Sequence, residues 1–172
     1  MRKYIILLSL ITLTACGYLR GDREPEPEIW TNSDDFYASL WEEINYTPQQ
    51  QKLITYGRSL LGTHYSTGGN NHEEGFDCSG FTRYIYAQAL DMHLPRTARE
   101  MAVAGKPVQQ ADLKAGDLVF FNTSGADNSH VGVYIGNGRF FHASTAKGVI
   151  VIGNMRNEYF AKRYNGARRV LS

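Results

Sequence analysis

The chain has 172 residues and a formal charge of +1, with 42% hydrophobic residues, 20% charged residues and two cysteines. That length suits one domain with a real core. The near-neutral balance carries no nucleic-acid footprint, which would show as a clustered basic face, and no internal repeat is present.

The N-terminus reads first as an address. Arg2 and Lys3 form a short positive segment, followed by an uncharged apolar run from Tyr4 to Leu13. A bilayer span needs about 20 apolar residues, so this run fits the apolar core of a secretory signal instead. Leu13-Thr14-Ala15-Cys16 resembles the bacterial lipobox, which implies cleavage before Cys16 and lipid attachment to it. The plainer alternatives are an ordinary signal peptide with a chance cysteine, or a core helix. A lipid-anchored chain sits on a membrane rather than across it. Gly17, where Asp would retain the protein at the inner membrane, sorts a Gram-negative lipoprotein to the outer membrane; a Gram-positive host would keep it on the outer face of its one membrane. The expected organisation is a signal peptide at 1–15, a tether at 16–33 and a folded domain at 34–172, in the cell envelope and facing the periplasm. Loss of Arg2 and Lys3 takes the formal charge from +1 to −1.

The tether carries G-D-R-E-P-E-P-E, acidic and proline-containing, hence extended and solvated. Phe36, Leu40, Trp41 and Ile44 then recur at helical spacing behind Ser33 or Asp34 as a cap. Thr47-Pro48-Gln49-Gln50 combines capping-box spacing with proline at the first helical position. The helix it opens has Leu53, Ile54, Leu60 and Leu61 on one face, and Gly62 ends it. A glycine-rich polar loop, G-T-H-Y-S-T-G-G-N-N-H-E-E-G, leads to a helix from about Asp77 to Leu90, and a short helix is expected at 97–103.

After that the period changes. G-D-L-V-F-F-N, H-V-G-V-Y-I-G, R-F-F-H-A-S and G-V-I-V-I are short, β-branched and aromatic, and read as strands. N-E-Y-F-A-K-R reads as a helical piece before a last strand, A-R-R-V-L. Helices first and strands second predict an α+β domain with an antiparallel sheet.

With the lipid on Cys16, Cys78 is an odd thiol in an exported protein. It is either a reactive group or an inert buried cysteine. Asp77 as N-cap places it in the first turn, where free N–H groups and the helix dipole favour a thiolate. Asp77 itself opposes that charge, so a basic partner is expected. Cys78, Phe81 and Ile85 share one helical stripe, which faces the thiol toward the sheet. The candidate partner is His130, with His142 twelve residues on. A three-residue hairpin loop would set Gly132 opposite His142 and put both imidazoles on one face within mutual reach. A two-residue Asn-Gly loop would put them on opposite faces. The set would be nucleophile, base and orienter.

These residues resemble the NlpC-type family of papain-like cysteine peptidases of the bacterial cell wall. The matching segments are G-T-H-Y-S-T-G-G, G-F-D-C-S-G-F, L-P-R-T, L-K-A-G-D-L-V-F-F, S-H-V-G-V-Y-I-G-N-G and F-F-H-A-S, across roughly residues 47–172. One departure is His64, where proline often precedes the loop tyrosine. The resemblance implies a papain-like fold, its nucleophile helix packed on the C-terminal sheet. It implies Cys78 as nucleophile, His130 as general base and then acid, and His142 as orienter. Tyr65 would line the site and help hold the oxyanion, while Asp77, Ser79 and Arg96 would shape substrate subsites. The implied substrate is peptidoglycan, cut in its stem peptides at γ-D-glutamyl–diaminopimelate or at the diaminopimelate–D-alanine cross-link, with no metal or cofactor.

Three rivals remain at the level of sequence. Cys78, His130, His142 and His64 or His72 could ligate zinc, although no C-x-x-C or H-x-x-x-H is present. The same fold could serve a non-catalytic peptidoglycan-binding lipoprotein, or an amidase or acyltransferase with the same thiol chemistry. Composition does not fix the oligomeric state.

Overall fold

The computed structural model describes residues 45–172. The export signal, Cys16, the tether and the helix expected from Ser33 to Ile44 lie outside the described residues.

The chain begins with helix α1 (Pro48–Ser59), a two-stranded hairpin of β1 (Asn70–Asn71) and β2 (Gly75–Phe76), helix α2 (Cys78–Leu90) and the short α3 (Ala98–Met101). A sheet follows from β3 (Lys106–Val108), β4 (Leu118–Phe121), β5 (His130–Gly136), β6 (Arg139–Ser144), β7 (Val149–Asn154) and β8 (Tyr164–Arg169), with α4 (Glu158–Ala161) before the last strand. Its order is β3-β8-β4-β5-β6-β7, antiparallel throughout. This is the expected α+β arrangement, with helices preceding and covering an antiparallel sheet.

Each helix starts for a local reason. The Thr47 side chain accepts from Gln50 N–H, while the Gln50 side chain accepts from Thr47 N–H. Asp77 caps α2 by accepting from Gly80 N–H at 2.6 Å. Thr97 and Glu100 repeat the capping box at α3. These caps satisfy N–H groups that a helix cannot satisfy internally.

Alternation along β5 divides the core. Val131, Val133 and Ile135 face α1 and α2 and pack with Leu53, Ile54, Phe81, Ile85 and Phe141. The opposite face collects Val119, Phe121, Phe140 and Phe160. The stripe expected on α2 is present: Phe81 and Ile85 are fully buried, and Cys78 packs against the same cluster.

Several boundaries differ from the sequence reading. The loop at 62–75 contains the small β1–β2 hairpin, and β3 was not expected at all. Both are so short that hydrophobic period gives no signal. The last strand begins at Tyr164 rather than Ala167 and stops before Val170. Asn165 and Gly166 are depleted in strands, and the pairing of Tyr164 and Gly166 with β4 is what extends the strand.

One buried ion pair ties the sheet to its preceding turn. Asp117, 1% exposed, accepts from Arg169 Nε at 2.8 Å, from Arg169 Nη2 at 2.6 Å and from Lys114 N–H at 2.7 Å. Removing one member of such a pair leaves an uncompensated buried charge. Asp117→Ala is therefore expected to cost about 3 kcal/mol, the low end for buried pairs because the Arg169 side chain is 29% exposed. Urea denaturation checks this, and an unchanged midpoint would contradict it.

Candidate active site

Three elements converge on Cys78. Helix α2 carries it as its first residue, behind the Asp77 cap. Strand β5 brings His130 and Val131, and the backbone of Val131, with that of Ser79 and Cys78 itself, lies where it favours a negative charge on the sulfur. The loop before β2 brings Tyr65, whose backbone bridges Phe76 and donates to Gly148 O at 2.6 Å. Cys78 is partly exposed and unpaired by any disulfide.

His130 and His142 meet as expected, by a different route. The hairpin between β5 and β6 has a two-residue Asn137-Gly138 loop, both residues at positive φ (51° and 74°). Alone, that turn would put the two histidines on opposite faces. A β-bulge between Tyr134 and Gly136 inserts one residue and restores the register, with Tyr134 opposite Phe140 and Val133 opposite Phe141. Extended, that register sets Gly132 opposite His142. The result is a 3.1 Å contact between His130 Nε2 and His142 Nδ1, the rings near perpendicular at 85°.

This contact is compatible with either ring donating, and only one of the two arrangements would let His130 act as a base. His130 Nε2 is engaged by His142, which leaves Nδ1 as the ring nitrogen available to another partner. For Nδ1 to accept a proton it must be bare, so Nε2 carries the hydrogen and donates to His142 Nδ1. His142 is 1% exposed, enclosed by Phe140 at 4.9 Å and Phe160 at 5.3 Å between ring centroids.

Burial sets the charges. It lowers His130 from 6.5 to about 4. It holds His142 well below its ordinary value too, helped by the proximity of His130 and opposed by a hydrogen bond with the Ala143 backbone. Both imidazoles are neutral at pH 7. Burial likewise raises the Cys78 thiol, and the Asp77 carboxylate adds to that, outweighing the N–H groups of Val131, Ser79 and Cys78. The helix start alone therefore does not make a thiolate, in line with the expectation that a basic partner is needed: desolvation of the sulfur exceeds the gain from the helix end. Burial thus favours the neutral form of both the thiol and the imidazole.

Asp77, Ser79 and Arg96 form one cluster beside Cys78. Arg96 Nη1 donates to Asp77 Oδ1 at 3.1 Å and to Ser79 Oγ at 2.9 Å. Its Nη2 donates to Asp77 Oδ2 at 2.8 Å and to Gly68 O at 2.9 Å. Burial would raise the Asp77 carboxyl, but the hydrogen bonds from Arg96, Gly80 and Ser79 and the Arg96 charge hold it below the usual range. His64 lies back against Gly75 and pairs with Val149. Among the described residues no group of three His, Cys, Asp or Glu side chains converges as a metal site.

Two glycines matter for packing: Gly80, whose lack of bulk beside the thiol was legible in the sequence, and Gly153, which was not. A Cβ on Gly80 would stand 2.0 Å from Gly69 O, so only glycine lets α2 seat against the loop that carries Tyr65. A Cβ on Gly153 would stand 2.5 Å from the Phe140 ring and 3.0 Å from His142 Nε2. The space for the His142 ring thus comes from β7. A Cβ on Gly132 would likewise meet the Phe140 ring at 2.5 Å and the Phe141 carbonyl at 2.7 Å. A lone glycine at the end of V-I-V-I-G is only a weak sign of such close approach. Gly153→Ala is expected to lower kcat about 10- to 100-fold, with KM nearly unchanged, by displacing Phe140 and His142 from alignment. Steady-state kinetics checks this, and wild-type kcat would contradict it.

Comparison with known proteins agrees with this geometry. The NlpC/P60 family profile matches residues 62–169. The chain is 47% identical over 168 residues to the murein DD-endopeptidase MepS/murein LD-carboxypeptidase of Escherichia coli, covering 94% of this chain and 88% of that protein. It is 40% identical to a probable endopeptidase NlpC homolog of Haemophilus influenzae, covering 99% of this chain and 100% of the relative. Among solved structures, an NlpC/P60 family protein from Bacillus cereus superposes with a TM-score of 0.67 at 35% identity, covering 74% of this chain and 42% of that one. These matches make the chain a member of the NlpC/P60 family of cysteine peptidases.

Proposed function

We propose that this protein is a lipid-anchored endopeptidase that cleaves amide bonds in peptidoglycan stem peptides or cross-links. The observation that carries the reading is the 3.1 Å contact of His130 with His142 on the strand whose next residue, Val131, meets the Cys78 sulfur. In this mechanism Sγ of Cys78 attacks the amide carbonyl as His130 Nδ1 takes the thiol proton. His130 then gives that proton to the leaving amine, producing a thioester on Cys78. Water, deprotonated by His130, hydrolyses the thioester and returns the thiol. His142 holds the His130 ring and tautomer throughout. Tyr65 and the Cys78 N–H act on the oxyanion, and Asp77, Ser79 and Arg96 present a polar, charge-compensated wall to the substrate. The resemblance of Leu13–Cys16 to a lipobox supports the anchor, and Gly17 supports sorting to the outer membrane. The relatives named for murein support the substrate class.

A peptidoglycan digest tests this, comparing the wild type with Cys78→Ala and Tyr65→Phe. Mass spectrometry of the released peptides is expected to show fragments from the wild type and none from Cys78→Ala. Tyr65→Phe is expected to be slower by about 100- to 1000-fold, the cost of one oxyanion donor. The fragment masses name the bond. Wall binding without fragments from any form would overturn the reading in favour of a binding module.

A further inference from the structure

A second cleft lies on the far side of the sheet from the Tyr65 loop. That loop runs over β7, where Tyr65 N–H donates to Gly148 O, whereas the cleft opens at β8 and β3, at the other end of the strand order. It holds about 490 Å³. Phe120 lines it and pairs with Val131, and Gly166 lines it and pairs with Phe120. Its floor is therefore two strand spacings, about 10 Å, from the segment whose N–H meets the thiol.

The lining is chemically one-sided. Its single charged residue is Arg168, accompanied by the amides Gln109, Gln110, Asn128 and Asn165, and it contains no carboxylate. Arg169, the next residue, is committed to Asp117. Arg168 makes no ion pair or side-chain hydrogen bond among the described residues. Asp127 on the rim is exposed and held by Asn165 Nδ2 at 3.3 Å. A half-buried guanidinium with free donors suits a carboxylate, which it binds through two parallel hydrogen bonds.

The backbone adds direction. Strand β3 pairs with β8 only at Ala167, Arg168 and Arg169, so Tyr164–Gly166 have no strand on that side among the described residues. A peptide laid along this open edge could take main-chain hydrogen bonds as an added strand. It would have to end where Val108 of β3 pairs with Ala167, and Arg168 stands at that stop.

We propose that this cleft binds the C-terminal carboxylate of an extended peptide, with Arg168 pairing the carboxylate and the Tyr164–Gly166 edge holding the chain. The inference deepens the reading above by giving a peptidoglycan hydrolase a place for a free stem-peptide end outside the catalytic centre. It is tested by binding, on the full chain carrying Cys78→Ala, so that its failure is distinct from a failure of cleavage. The probe is acetyl-Lys-D-Ala-D-Ala, compared with its C-terminal amide, followed by amide chemical shifts. The acid is expected to bind in the millimolar range and to shift Gln109, Asn128 and Gly166. The C-terminal amide and the Arg168→Gln variant are each expected to bind at least about tenfold more weakly, the scale of a charge-assisted contact. Arg168→Lys retains part of the affinity, which separates loss of charge from loss of fold. Equal binding of acid and amide, unaltered binding by Arg168→Gln, shifts confined to Tyr65, Asp77 and Ser79, or no shifts at all would each overturn the proposal.

Discussion

The contact between His130 and His142 is the constraint on which the rest of the site depends. It requires two strands to be in one register, because a slip of one residue turns every side chain to the other face. The register is set by a compact Asn137-Gly138 turn and corrected by the bulge beside it. Gly153 on β7 leaves space for the Phe140 and His142 rings. Phe121, Phe140 and Phe160 then enclose the pair from one side. The sheet is thus the instrument that aims an imidazole, and α2 brings the sulfur to meet it.

Enclosure has an electrostatic consequence. A thiol and two imidazoles held in a largely dry site are all more stable neutral than charged. The helix start, with its N–H groups directed at the sulfur, reduces this penalty for the thiolate without cancelling it. In the proposed mechanism, charge separation is deferred to the encounter with substrate, when His130 would take the proton and the developing oxyanion would gain its own donors. Asp77 is kept from aggravating the cost by Arg96, which engages both of its carboxylate oxygens. The same carboxylate caps α2, so one side chain serves the helix, the Arg96–Ser79 cluster and the electrostatics of the nucleophile.

Much of this was legible in the sequence because it is local. The Thr47–Gln50 capping box, Asp77 as N-cap, and the two strands H-V-G-V-Y-I-G and R-F-F-H-A-S are written in adjacent residues, and their positions agree with the structure. The nearness of His130 and His142 was also inferable, since the alternative registers are few. The means was not, because a bulge depends on how two strands twist together rather than on any residue type. The space behind His142 was equally hidden: Gly153 comes from a third strand, and only pairing with Phe140 reveals why it has no side chain. The opposition of Asp77 to a Cys78 thiolate was legible in the sequence, but the larger effect of burial was not. Helix position is visible in a sequence, whereas the burial that outweighs it is a property of the assembled domain.

The central claim is that the resting nucleophile is a neutral thiol beside a neutral imidazole, and pH-dependent alkylation of Cys78 tests it most directly. Because only the thiolate reacts and burial raises the thiol above its ordinary value of 9.0, the iodoacetamide rate should keep rising through pH 9. His130→Ala should change it little near neutrality. A rate plateau already reached near pH 6 and abolished by His130→Ala would reveal a preformed thiolate–imidazolium pair and contradict the account.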